Sequence, residues 1–254
     1  MNAKKRKKGG EKNKVQSRRK VRYDDKVRGP FIVRESSASY GESDSPQSVI
    51  RQKGQKKFYS VVSLFSGCGG LDLGFVGNFE FLGKLYAPND FRVIWANDID
   101  EPSCQTFANY FKHDVVCGDI TQILDGEFTA RLFDQPIPKN TDIVLGGFPC
   151  QDFSHAGKRK GFNSKRGLLY QSMAEVVRRT KPLVFVAENV RGLLTMNGGE
   201  AIQIIIKDFE KLGYHTVYKL LTAADYGVPQ TRERVIIVGT RKDKLPPFEH
   251  PKPI

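Results

Sequence analysis

Asp142-Ile143-Val144-Leu145-Gly146-Gly147-Phe148-Pro149-Cys150-Gln151 is the stretch around which the chain is organised. An acid, a short β-branched run and two glycines predict a buried strand that stops where backbone must lie close to something else. Cys150 follows that stop, behind a proline and ahead of the polar Gln151, Asp152 and Ser154. Ligands in open α/β sheets bind at the carboxyl ends of strands. A thiol there is placed for chemistry, whereas a merely structural cysteine belongs within the apolar run.

The charge is unevenly spread. The 254 residues carry a formal net charge of +13, and residues 1–57 hold 18 of the 41 Lys and Arg but only 6 of the 28 Asp and Glu, leaving 23 and 22 for the rest. Residues 1–57 show few aliphatics and no sustained period, so they are read as a basic, mostly disordered tail that cannot offset its ordering entropy by burial. Lys4-Lys5-Arg6-Lys7-Lys8 suits nucleic acid through counterion release, or equally a solvated tail. Cys68, Cys104, Cys117 and Cys150 form no Cys-x-x-Cys pair and no metal-ligand spacing with the four histidines. A reducing compartment, no structural metal and no membrane segment are the expectations.

From Tyr59 onward strands and helices alternate, which predicts a doubly wound, mostly parallel α/β sheet. Tyr59–Phe65 reads as a strand, and Ser66-Gly67-Cys68-Gly69-Gly70 turns it into a short helix from about Leu71. Closely spaced glycines let backbone approach a ligand beside the free N–H groups of a helix start. Asp72 stands where a dinucleotide fingerprint requires its third glycine, so that pattern is excluded. Arg92–Asn97 predicts a strand ending in Asp98-Ile99-Asp100; Asp98 suits a pair of ribose hydroxyls, and Asp100 a helix cap. A third short strand leads to Gly118-Asp119-Ile120. Beyond Cys150 lie a basic, glycine-containing segment through Arg166, a helix over 168–179, and the strand Leu183–Ala187 ending in Glu188-Asn189-Val190. A helix over 198–212, a strand over 214–221, and Gln230-Thr231-Arg232-Glu233-Arg234 leading into Val235–Gly239 complete the pattern. Arg232 and Arg234, at i and i+2 on an extended segment, face one side.

Gly147-Phe148-Pro149-Cys150-Gln151-Asp152-Phe153-Ser154 resembles the nucleophile motif of the cytosine-5 DNA methyltransferases. Five further stretches resemble motifs of that family in the same order, over some 180 residues from Tyr59 to about Gly239. The resemblance implies the seven-stranded sheet of the S-adenosyl-L-methionine-dependent methyltransferases. It assigns cofactor binding to Phe65, Gly67, Gly69, Gly70, Asp98, Ile99, Asp119, Ile120, Pro149 and Leu169. It assigns Cys150 as the nucleophile that adds to carbon 6 of a flipped-out cytosine, and Glu188 as the contact to ring nitrogen 3, which must carry or share a proton. Arg234 would hold the base oxygen O2 and Arg232 would order the loop. Gln151, Ser154 and Arg166 would face the substrate, on a segment that closes over it. Double-stranded DNA is the implied partner, and a bacterial cytoplasm, near the nucleoid through DNA, the implied location.

Family members continue after the Arg-Glu-Arg strand with a target-recognition region and two closing motifs, whereas 20 residues follow Arg234 here. Residues 58–254 are therefore read as a catalytic domain incomplete at its C-terminus. The missing elements are expected on a second subunit of a split enzyme of a restriction-modification system, with a truncation as the competing account. Two other functions stay open: methylation of cytosine in transfer RNA, and a catalytically idle nucleic-acid-binding or regulatory module.

Overall fold

Alternating burial along each strand builds two cores, one on each side of a single sheet. In the computed structural model, which describes residues 30–34, 58–125, 136–149 and 169–254, β1 (Phe31–Val33) is followed by β2 (Tyr59–Leu64), α1 (Gly70–Val76), β3 (Phe79–Phe81) and β4 (Lys84–Tyr86). Next come β5 (Phe91–Asp98), α2 (Glu101–Phe111), β6 (Val115–Cys117), α3 (Ile120–Leu124) and β7 (Ile143–Gly146). The last elements are α4 (Leu169–Thr180), β8 (Val184–Val190), α5 (Glu200–Lys211), β9 (Tyr214–Thr222) and β10 (Glu233–Arg241).

The large sheet runs in the order β1-β6-β5-β2-β7-β8-β10-β9. Pairs among β6, β5, β2, β7 and β8 are parallel, and β10 joins antiparallel to both β8 and β9. The mostly parallel α/β architecture is as expected, but among the described residues the sheet has eight strands rather than the expected seven. The additional strand is β1, antiparallel on β6 through Phe31↔Cys117 and Val33↔Val115. It comes from inside the segment read as mostly disordered; the rest of that segment lies outside the described residues. Its apolar triplet pays for its ordering by covering the open edge of β6. The β3–β4 hairpin, a separate two-stranded sheet, was also not anticipated.

Side-chain alternation sorts the core. Val62, Leu64, Val144 and Phe185 face one cluster with α3, α4 and α5, while Val61, Val93, Ile143 and Leu145 face the other with α1 and α2. This is the three-layer arrangement that parallel strands require, since both faces must be covered. The chain leaves β2 towards β5 and β6 on one side, and later resumes at β7 and β8 on the other. The carboxyl ends of β2 and β7 thus flank the point where the winding reverses, which is where such sheets hold ligands.

Candidate active site

Two groups of residues converge at this end of the sheet. The first lies at the ends of β2, β5 and β6. After Leu64 the backbone takes left-handed turns at Phe65 (φ 52°), Gly67 (φ 53°) and Gly69 (φ 90°) before α1 begins. The Gly67 N–H donates to Asp98 Oδ2 at 2.7 Å, and the Ser66 N–H to the Asn97 carbonyl at 3.0 Å. Asn97, buried, donates through Nδ2 to the carbonyls of Val116 and Gly118, and the Gly118 N–H reaches Asp98 O. The buried side-chain amide ties the end of β5 to that of β6, and the Ser66 N–H to the Asn97 carbonyl adds the end of β2.

The sequence-assigned cofactor residues divide within this frame. Gly67, Gly69, Gly70, Asp98 and Ile99 share one edge. A Cβ placed on Gly67 or Gly70 would meet nothing within 4 Å, so backbone there lies open to a ligand. Ile99 is 71% exposed, an aliphatic surface at a strand end. Asp100 caps α2, accepting from Ser103 N at 3.0 Å. Asp119 caps α3: its Oδ1 accepts from the Thr121 N–H and hydroxyl. Ile120 is buried in the core, and Phe65 and Leu169 pack against it part-buried. The open backbone at Gly67 and Gly70, two carboxylates that accept hydrogen bonds and an exposed aliphatic side chain fit a nucleoside bearing an amino-acid tail. S-adenosyl-L-methionine has that form.

The second group lies at the ends of β7 and β8 and the start of β10. β8 and β10 pair antiparallel with Ile236 opposite Glu188 and Arg234 opposite Val190. That register brings Arg234 Nε to 2.6 Å from Glu188 Oε1, and Arg232 Nη2 to 3.9 Å from the same oxygen. The Nε–H is not aligned on that oxygen, so the contact is an ion pair rather than a directed hydrogen bond. Arg234 is anchored instead by Nη1, which donates to the Glu233 carbonyl at 2.7 Å. Glu188 also faces the neighbouring loop: a Cβ on Gly147 would lie 3.4 Å from its Oε2. Asn189 donates to the Phe148 carbonyl at 2.9 Å. Pro149, exposed, ends the described part of this loop. Cys150, Gln151, Ser154 and Arg166 lie outside the described residues.

Sequence reasoning passed over two features. Asp72, in the first turn of α1 beneath the glycine loop, is fully buried, and neither carboxyl oxygen makes an aligned hydrogen bond. Burial raises its pKa to about 6, with the neighbouring Ser63 hydroxyl pulling the other way. Its place in the glycine motif was noted, but not its burial. Arg191, directly after the Glu-Asn-Val motif, donates to Glu233 Oε2 at 2.8 Å. Only the β8–β10 register places these two together.

A family model for the C-5 cytosine-specific DNA methylase matches residues 59–254. The chain is 47% identical over 193 residues to the type II methyltransferase M.NgoFVII of Neisseria gonorrhoeae, covering 76% of this chain and 46% of that protein. It is 42% identical over 195 residues to the type II methyltransferase M.FnuDI of Fusobacterium nucleatum, covering 76% and 51%. The chain thus spans about half the length of these curated relatives. The S. pombe Dnmt2 methyltransferase structure superposes with a TM-score of 0.52 at 20% identity, over 76% of this chain and 52% of that one, a likeness of fold. With a family match over residues 59–254, most of its length, the chain belongs to the C-5 cytosine-specific DNA methylase family.

Proposed function

We propose that the chain is the cofactor-binding and catalytic part of a DNA (cytosine-5)-methyltransferase, EC 2.1.1.37, acting in a restriction-modification system. The observation that carries this reading is the ion pair of Glu188 with Arg234 beside the Gly147–Pro149 loop that leads directly into Cys150. Carbon 5 of cytosine is a poor nucleophile, so the ring must be activated before it takes a methyl group. The Cys150 thiolate adds to carbon 6, forming a carbon–sulfur bond and pushing the ring electrons towards carbon 5 and nitrogen 3. Glu188 meets nitrogen 3 and the exocyclic amine, sharing a proton with the ring, and Arg234 holds O2. Bound S-adenosyl-L-methionine supplies an electrophilic sulfonium methyl. Once carbon 5 carries that methyl and the sulfonium has left as a neutral thioether, the proton on carbon 5 passes to a base or water, and the electrons it leaves behind re-form the ring double bond and expel the Cys150 thiolate from carbon 6.

Gly67, Gly69, Gly70, Asp98, Ile99 and Asp119 hold the cofactor at the β2–β5–β6 edge, and the methyl donor and the Cys150 thiol act on the same base. Cytosine within a stacked duplex is out of reach of both, so the base is flipped out. Gln151, Ser154 and Arg166 contact the DNA around it. A second subunit carrying a target-recognition region is part of this proposal, since sequence is read through contacts to base edges in the groove.

The reading is tested by tritium transfer from methyl-labelled cofactor to duplex DNA and to transfer RNA, with the chain alone and co-expressed with the adjacent reading frame. Label in 5-methylcytosine of DNA is the expected result. Label in transfer RNA alone supports the RNA reading, and label in neither nucleic acid from either preparation contradicts both.

A further inference from the structure

Beyond Arg234↔Val190, the last paired residues of β8 and β10, the two strands part. β8 passes into the 3-10 turn Arg191–Leu194, and Glu233 begins β10. Strand ends open more readily than strand centres, and this end carries the proposed catalytic carboxyl and guanidinium. Here side chains continue what the backbone ladder has stopped. Arg191 Nη1 donates to Glu233 Oε2 at 2.8 Å. The Glu233 carbonyl accepts from Arg234 Nη1 at 2.7 Å, and Arg234 Nε lies 2.6 Å from Glu188 Oε1. A guanidinium is a rigid fork. With one arm tied to the Glu233 backbone and its Nε set against Glu188, the direction of its remaining N–H groups follows from where residue 233 sits.

We infer that Arg191 and Glu233 form a clasp that positions Arg234 on Glu188. Both are positioning residues that act through the backbone at 233. The Arg191 side chain is 67% exposed and that of Glu233 34%, and an ion pair so exposed adds little to stability. Its consequence is therefore geometric. Misplacement of a reacting group by a fraction of an ångström slows a reaction without unfolding anything. The competing role for Arg191 at this position is a direct contact to a DNA phosphate, with Glu233 a bystander.

The effect on rate rests on the proposed reaction, so the test has two arms. In the first, single-turnover adduct formation with 5-fluorocytosine DNA is measured for the full chain in the preparation that methylates DNA. Glu233→Gln and Arg191→Met are each expected to slow it about tenfold, with DNA affinity and melting temperature unchanged. The reversed pair, Arg191→Glu with Glu233→Arg, is expected to recover the rate to within about threefold, as coupled residues do in a double-mutant cycle. Weakened DNA binding with an unchanged rate in Arg191→Met overturns the clasp in favour of the phosphate contact. A reversed pair no faster than the single variants also overturns it. The second arm needs no DNA: the Arg234 Nε–Hε resonance of the 15N-labelled chain, identified by its loss in Arg234→Lys, is expected to move in Glu233→Gln and return in the reversed pair. A resonance unmoved by Glu233→Gln overturns the clasp. Should the wild-type protein form no adduct, the reading of the reaction falls and this resonance decides the clasp by itself.

Discussion

Asn189 Nδ2 donates to the Phe148 carbonyl at 2.9 Å, and both residues are buried at 2% exposure. The same Asn189 accepts through Oδ1 from the Val190 N–H at 2.8 Å. One side chain thus fixes the loop that leads to Cys150 against the strand end that carries Glu188. Its amide is used in both directions, so neither a carboxylate nor an aliphatic group can replace it.

Asn189→Ala leaves the Phe148 carbonyl without a partner and is expected to cost about 1–3 kcal/mol of stability. Asn189→Asp sets an acceptor against an acceptor and is expected to cost more. Urea unfolding checks both, as a lowered midpoint at unchanged slope. Alanine being equal to wild type would show that the loop is held by other means.

Gly69 and Gly70 separate folding from cofactor approach. Gly69 has φ +90°, and a Cβ there would run into the Phe111 ring, whereas one on Gly70 meets nothing within 4 Å. Gly69→Ala is expected to lose about 1–3 kcal/mol of stability through strain and overpacking. Gly70→Ala is expected to keep its melting temperature and weaken S-adenosyl-L-methionine binding by about tenfold or more, a loss of about 1.4 kcal/mol. Calorimetric titration of the two variants reads both quantities. Undiminished binding by Gly70→Ala would remove that residue from the cofactor surface.

Asp72 gives the folded chain a pH dependence of defined sign. Its carboxyl sits at about 6 when folded, against 3.8 ordinarily, because burial disfavours the anion. The folded state therefore holds a proton that the unfolded chain releases between these values, so the stabilisation is present at low pH and is lost as pH rises through 6. The difference between these values corresponds to about 3 kcal/mol. Asp72→Asn is expected to unfold at a higher urea concentration than the parent at about pH 7.5, with the advantage fading towards about pH 4. A pH-independent difference between the two proteins would show that Asp72 does not titrate in this way.

What the sequence made legible followed local periodicity and glycine turns. Val144 and Phe185 lie within uninterrupted apolar runs, and both proved to lie on central strands of the sheet, parallel to one another. Asp100, read as a helix cap, caps α2. Features that depend on tertiary pairing were not legible. Phe31-Ile32-Val33 is three residues in a basic stretch and becomes a strand only because β6 offers an open edge. The β3–β4 hairpin turns at Leu82-Gly83, where φ is positive at both residues, and Leu82 does not announce such a turn. Glu188 and Arg234 stood out through motif resemblance. Their approach to 2.6 Å is a product of antiparallel register, which no spacing along the chain encodes.

The covalent role of Cys150 is the claim on which the rest depends. The most direct test incubates the complete enzyme with S-adenosyl-L-methionine and duplex DNA carrying 5-fluorocytosine at the target, where fluorine replaces the proton that must leave carbon 5. A denaturation-resistant protein–DNA adduct is predicted for the wild type, absent in Cys150→Ala and formed far more slowly in Glu188→Gln. An adduct of equal yield in Cys150→Ala would contradict the account.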